Sequence, residues 1–199
     1  MFKFKPPSIA DFTDEKLVEA MINGNSKAFD ELYTRYSDRM LYYFYRMLGN
    51  DRELAQDFLQ DLFFKIIDQP HLFDLKRKFS TWIFSIAHNM CKNEYRSRDI
   101  RNIIEKVENT DNFSQEETTE NDWPCQVDDI FDCLNEFDEM HRTAFLLKYR
   151  EGLSIDEIST ILDLPKGTIK SRLFYTRKKI KKKLRLKESV KNQFAHNID

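Results

Sequence analysis

The sequence predicts an all-α protein: two small helical domains joined by a flexible acidic linker, the C-terminal one a helix–turn–helix. Three observations predict it. No stretch alternates apolar and polar residues cleanly, so nothing argues for a sheet. The glycines (Gly24, Gly49, Gly152, Gly167) stand where helices start or stop, and the prolines (Pro6, Pro7, Pro70, Pro124, Pro165) fall between periodic segments. Charge is segregated behind a formal net value of −2: Val107 to Glu139 holds twelve Asp and Glu with no Lys, Arg or His, while Pro165 to Lys187 holds eleven Lys and Arg with no acid. Such polarity along one chain assigns its segments to different partners.

The elements follow in order. Thr13 or Asp14 caps a first helix through "DEKLVEAMING", which ends at Gly24. In "SKAFDELYTRYSDRMLYYFYRMLGN", Phe29, Tyr33, Tyr36, Met40, Phe44 and Met47 share one helical face, and Gly49-Asn50 stops the helix. Asp51 caps the third, whose inner face is Ala55, Phe58 or Leu59, Leu62 and Ile66. "QPHLFDLKRK" is a proline-marked basic loop, and the fourth helix sets Trp82, Ile86 and Met90 at spacings of four. The segment "VENTDNFSQEETTENDWPCQ" is polar, acidic and poor in apolar residues, so it reads as a linker that cannot bury enough surface to offset the entropy of ordering. Helices resume with "VDDIFDCLNEF" and "EMHRTAFLLKYREG". The predicted boundaries are 1–104, 105–126 and 127–199.

Several function classes are disfavoured. Cys91, Cys125 and Cys133 lack metal-ligand spacing, and an odd count suits no closed disulfide framework, so free thiols in a reducing compartment are expected. No signal-peptide core or membrane-length apolar run is present, which predicts a cytoplasmic protein. His71, His88, His141 and His196 are scattered, with His88 expected at the surface, and no phosphate-cradling glycine loop exists. The expectation is a non-enzyme with no cofactor and no metal.

The stretch "LSIDEISTILDLPKGTIKSRLFYTRKKIKKKL" carries the chemistry. Ser154 and Glu157 form a capping box, with Ile155, Ile158, Ile161 and Leu162 facing inward. Asp163-Leu164 is a short turn, and Pro165 opens the next helix at a position where its missing N–H costs nothing. Unrolled at about 100° per residue, Ile169, Leu173, Thr176 and Ile180 point inward. Gly167, Ser171, Phe174, Tyr175 and Lys178 point the other way, flanked by Lys170 and Arg172. A hydroxyl, two rings and flexible cations suit base edges, thymine methyls and phosphates; the alternative is that the rings cover another domain. "RKKIKKKLRLK" is too uniformly charged to read bases and should add salt-dependent phosphate contacts.

"EGLSIDEISTILDLPKGTIKSRLFYTRKKI" resembles the second conserved region of the extracytoplasmic-function (ECF) sigma factors, the compact promoter-recognising subunits of bacterial RNA polymerase. "AFDELYTRYSDRMLYYFYRMLGNDRELAQDFLQDLFFKI" is similar to the first helices of the family's other domain, and "FSTWIFSIAHNMCKNEYRSR" to its promoter-opening helix. The two likenesses occur in family order and cover nearly the whole chain. Departures are Phe137-Asp138 where Leu-Pro is usual and Thr176 where Ala is common.

The resemblance implies a partner for each segment. Asp57, Gln60, Asp61 and Phe64 would bind the RNA polymerase core. The loop Phe73, Asp74, Leu75, Lys76, Arg77 and Lys78 would hold an unstacked −10 base, with Asn89, Lys92, Asn93, Arg96 and Arg98 guiding the strand. Trp82 reads as core rather than as a stacking platform. Lys170, Ser171, Arg172, Phe174 and Tyr175 would contact −35 bases or the groove, and Lys166, Thr168, Arg177 and Lys178 the phosphates. An anti-sigma factor, often membrane-anchored in the family, is an expected further partner, and the free protein is expected to be a monomer. Three rivals stand beside this reading: a ligand-sensing helix–turn–helix regulator, which would need a dimer helix or pocket; an enzyme; and an all-α interaction protein with an incidental basic tail.

Overall fold

A computed structural model describes residues 8–108 and 133–195, with side chains placed for 8–101 and 133–183. Within it the chain is helical, with no strand among the described residues. It divides into two compact units, Met1–Glu117 and Thr118–Asp199.

In the first unit α1 spans Asp14–Ile22, α2 Ser26–Met47, α3 Arg52–Asp68 and α4 Phe79–Glu108. Local chemistry sets these limits. Thr13, rather than Asp14, caps α1, its hydroxyl accepting from the N–H of Lys16 at 3.4 Å. Asp51 caps α3 by accepting from Leu54 N–H at 3.0 Å, a contact worth roughly 1 kcal/mol. After α2, Gly49 (φ 83°) and Asn50 (φ 66°) turn the chain through the left-handed region, which Gly and Asn tolerate best.

α2 is the central element, packed by α1, α3 and α4. Leu32, Tyr36, Met40 and Phe44 of α2 meet Leu17 and Val18 of α1, Ala55, Leu59, Leu62 and Ile66 of α3, and Phe79, Ile83 and Ala87 of α4 in the buried core. Fully burying one such large side chain contributes about 1.5–3 kcal/mol. Arg46 is buried too, with Nε donating to Tyr42 Oη at 3.2 Å and its guanidinium over the Tyr42 and Tyr45 rings. Stacking of this kind is how a guanidinium is kept in a core.

Three expectations need correction here. The buried face of α4 is rotated from the Trp82, Ile86, Met90 stripe: Ile83, Phe84, Ala87 and Cys91 are buried beside Met90, while Trp82 and Ile86 are only half-buried. Two apolar stripes lie side by side on this helix, and α2 covers one of them. His88 sits on the covered side, 2% exposed, and is not a surface residue. Burial and the charge of Lys92 push its pKa down to about 4. Tyr33 lies at the edge of the α2 face, 43% exposed, its ring 4.7 Å from that of Phe63.

α4 continues through Glu108, so the first residues assigned to the linker are helical. The rest of the expected linker and most of "VDDIFDCLNEF" lie outside the described residues; the remainder of the latter forms a 3-10 turn, Cys133–Glu136.

The second unit contains α5 (Glu139–Tyr149), α6 (Ile155–Leu162) and α7 (Lys166–Ala195), each packed on the other two. Its core is Phe145, Leu146 and Leu147 of α5, Ile158, Ile161 and Leu162 of α6, and Ile169, Leu173 and Ile180 of α7, with Leu153 from the connection. The 3-10 turn packs on α7, where Lys183 Nζ pairs with Glu136 Oε2.

Candidate nucleic-acid interface

The junction of α6 and α7 is built from short-range hydrogen bonds. Ser154 N–H donates to Glu157 Oε2 at 2.8 Å and Glu157 N–H returns a bond to Ser154 Oγ at 3.2 Å, closing the expected capping box. At the other end Asp163 takes left-handed angles (φ 51°, ψ 48°). The Leu164 N–H then reaches Ser159 O at 3.2 Å, while Ser159 Oγ donates to Leu164 O at 2.6 Å. These bonds fix a tight corner, and Pro165 immediately precedes α7.

α7 divides into two faces as its periodicity requires. Ile169, Leu173, Thr176 and Ile180 are buried, and Thr176 Oγ1 donates to Arg172 O at 2.8 Å, so its hydroxyl is satisfied within the helix. Lys166, Lys170, Ser171, Arg177 and Lys178 are exposed, with Thr168 half-buried near the start. Phe174 and Tyr175 are 60% and 62% exposed, packed edge-to-face at 5.5 Å on each other. Two large exposed rings among cations make an apolar patch of a kind that marks interaction surfaces.

Arg172 is placed differently from the sequence expectation. Its side chain is 27% exposed, and Nη1 lies 3.7 Å from Asp138 Oδ1 and 3.4 Å from His141 Nδ1. Asp138 caps α5 by accepting from His141 N–H at 3.0 Å. Burial acts to raise the Asp138 pKa, but the bonds from the His141 backbone and ring, with the charges of His141 and Arg172, outweigh it and hold the carboxyl below its ordinary value. Arg172 therefore ties α7 to the start of α5 rather than standing on the outer face.

In the first unit, Asp57, Gln60, Asp61 and Phe64 form a fully exposed stripe on α3, opposite the buried Ala55, Leu59 and Leu62; Phe64 is 66% exposed. On α4, Asn89, Asn93 and Arg96 are exposed and Lys92 is partly so, all on one helical face. Arg98 is half-buried and donates to Glu94 Oε1 at 2.9 Å, which draws it toward that carboxylate.

The loop before α4 is a defined turn. Asp74 Oδ1 accepts from Lys76 N–H at 3.0 Å and Asp74 O from Arg77 N–H at 2.8 Å, with Leu75, Lys76, Arg77 and Lys78 projecting outward. Phe73 departs from expectation: it is 4% exposed, its ring 5.6 Å from Phe79 and 5.2 Å from Trp82. It anchors the loop from beneath. The sequence signal was the Phe73, Phe79, Trp82 aromatic spacing, which crosses a loop and so escapes any helical period.

Among the described residues, no group of three or more His, Cys, Asp or Glu side chains could hold a metal, and no helix is long and apolar enough to cross a membrane. Cys91 and Cys133 are buried free thiols.

One unit carries an exposed helix–turn–helix and the other a cationic helix and loop, and comparison with known families identifies the class of protein built this way. Residues 32–100 match sigma-70 region 2 and residues 128–180 match sigma-70 region 4. The chain is 31% identical over 182 residues to the ECF RNA polymerase sigma-E factor of Haemophilus influenzae, covering 86% of this chain and 95% of that protein. It is 29% identical over 181 residues to the ECF sigma factor SigW of Bacillus subtilis, covering 86% and 96%. Among solved structures, CnrH in complex with the cytosolic domain of CnrY shares the fold at TM-score 0.63 and 24% identity, over 87% of this chain and 97% of that one. RpoE of Bartonella quintana, in complex with the anti-sigma factor NepR, does so at 0.66 and 20%, over 80% and 98%. The chain belongs to the ECF sigma factors of the sigma-70 family, which direct RNA polymerase to promoters and initiate transcription there.

Proposed function

We propose that the two units divide promoter recognition between them. The outer face of α7 reads the −35 element as duplex: Lys170, Ser171, Phe174 and Tyr175 meet the groove, while Lys166, Thr168, Arg177 and Lys178 hold phosphates. Arg172 joins them only by leaving Asp138. The loop Asp74–Lys78 and the α4 face of Asn89, Lys92, Asn93 and Arg96 hold the opened −10 strand, with Arg98 at the border. The α3 stripe of Asp57, Gln60, Asp61 and Phe64 docks on the polymerase core. One observation carries the reading: exposed Phe174 and Tyr175 lie among cations directly behind a helix–turn–helix corner.

In this scheme residues 1–104 are the core-binding and melting domain, 105–126 the linker and 127–199 the −35 domain. The protein binds and positions, and all catalysis belongs to the polymerase. It acts in the cytoplasm as a monomer when free. An anti-sigma factor is a further partner, a reading supported by the likeness to a sigma factor solved with one.

The test is run-off transcription with purified bacterial core polymerase on fragmented DNA of the organism's own genome. New start sites should appear with the protein and vanish with Asp61→Arg, which reverses a charge on the exposed α3 stripe. Duplex binding without any start sites would support the stand-alone regulator instead.

A further inference from the structure

At the start of α4 three other parts of the first unit converge on one residue, Phe79. Its backbone N–H is among the donors that a helix leaves unsatisfied at its N-terminus. That N–H donates to Oε1 of Glu15, an α1 residue 64 positions away, at 3.1 Å. Its ring packs edge-on against Tyr36 of α2 at 5.1 Å and Phe73 of the loop at 5.6 Å. The helix dipole favours a carboxylate at this point.

Glu15 is itself held in place. Its neighbour Asp14 accepts from Tyr36 Oη at 2.5 Å and from Arg35 Nη1 at 2.7 Å. Arg35 further donates to Phe12 O and Ala10 O, both at 2.9 Å, fastening the chain before α1 to α2. α1 is thus fastened to α2, and through Glu15 it holds the start of α4. From Phe79 the connection runs directly into the loop through Phe73, beneath Leu75, Lys76 and Arg77.

We propose that Glu15 is a positioning residue for promoter opening, capping α4 from α1 so that the Asp74–Lys78 loop is preset to receive an unstacked base. This rests on the assignment of that loop to the −10 strand. Glu15 lies outside the segment matched to sigma-70 region 2, and it touches no nucleic acid in this scheme. Its effect is to lower the ordering cost at the moment of strand capture, because a preorganised loop has less freedom to lose.

The experiment compares full-length variants with core polymerase on a promoter mapped by the run-off assay. One template is fully duplex, and the other is pre-opened across the −10 element. Permanganate reactivity of −10 thymines reads opening on the first, and run-off yield reads use of the second. Glu15→Ala should lower duplex opening by about fivefold, the scale of a lost helix cap, and leave the pre-opened template within about twofold. Glu15→Gln keeps the acceptor oxygen and loses only the charge, so it should open the duplex within about twofold of the parent; this variant decides the matter if Glu15→Ala folds poorly. Unchanged duplex opening by Glu15→Ala, an equal defect on both templates, or failure of Glu15→Gln as deep as that of Glu15→Ala would each overturn the inference. The loop assignment is checked apart from it. If Lys76→Ala with Arg77→Ala leaves opening unaltered, the −10 reading itself fails; if that pair is defective while Glu15→Ala is not, only the role of Glu15 falls.

Discussion

Arg172, on α7, places Nη1 3.7 Å from Oδ1 of Asp138, the residue that caps α5. One carboxylate therefore serves two helices: it satisfies the N-terminus of α5 and draws in a guanidinium from α7. The shared carboxylate links the start of α5 to α7. Phe137 extends the same corner, its ring 4.7 Å from Lys179 Nζ.

Asp138→Ala should cost about 1 kcal/mol through the lost cap alone and loosen the first turns of α7. Amide hydrogen exchange of the full-length protein checks it: α7 amides should exchange faster along with those of α5. The Asp138 pKa is depressed in the folded protein, so its contribution is present above the unfolded carboxylate value. It is lost as pH falls through the lower, folded value. Unchanged exchange in α7 would separate the two helices.

Phe174→Ala and Tyr175→Ala should leave thermal stability within about 0.5 kcal/mol, because both rings are exposed, yet weaken −35 binding by about 1–3 kcal/mol. Replacing −35 thymines with deoxyuridine removes only the methyl groups. The parent protein should discriminate against at least one such replacement, and the alanine variants should not. Indifference of the parent to every thymine-to-uracil change would assign the rings to shape or stacking.

Lys182, exposed two turns beyond the reading face, should act without regard to sequence. Lys182→Ala is expected to weaken binding to matched and mismatched −35 duplexes equally and to reduce the slope of log affinity against log salt by about 1. A change in the ranking of −35 variants would move it among the readers.

Burial of His88 should make the first unit lose stability as pH falls below about 6.5. Burial holds it neutral with a pKa of about 4, while the unfolded chain binds a proton near 6.5. Between those values the unfolded state carries more protons, so stability falls as pH falls. The loss across that window is at most about 3 kcal/mol for this group. Urea unfolding at pH 7 and pH 5, followed by circular dichroism, should show a larger drop for the parent than for His88→Leu. Equal drops would place the acid sensitivity elsewhere.

Much of the fold is legible along the chain because helix limits depend on residues within four positions of one another. The Asp51 cap, the Ser154–Glu157 capping box, the Gly49-Asn50 stop and the two faces of α7 all follow from local hydrogen bonding and the 3.6-residue period. The outward placement of Phe174 and Tyr175 on α7 follows too, while their exposure, rather than burial against another domain, is decided by the structure. Family membership was equally readable, because the motifs that carry it lie on those same continuous segments.

Tertiary structure alone decided which side of α4 is covered, and with it the burial of His88 and the half-exposure of Trp82. It also seated Phe73 beneath its loop, turned Arg172 to Asp138, and brought Glu15 to Phe79. Each of these is a choice between positions that local geometry leaves equivalent. For Arg172 and Glu15 the partner lies tens of residues away, and for Phe73 it lies across a loop, so each choice depends on how whole elements pack.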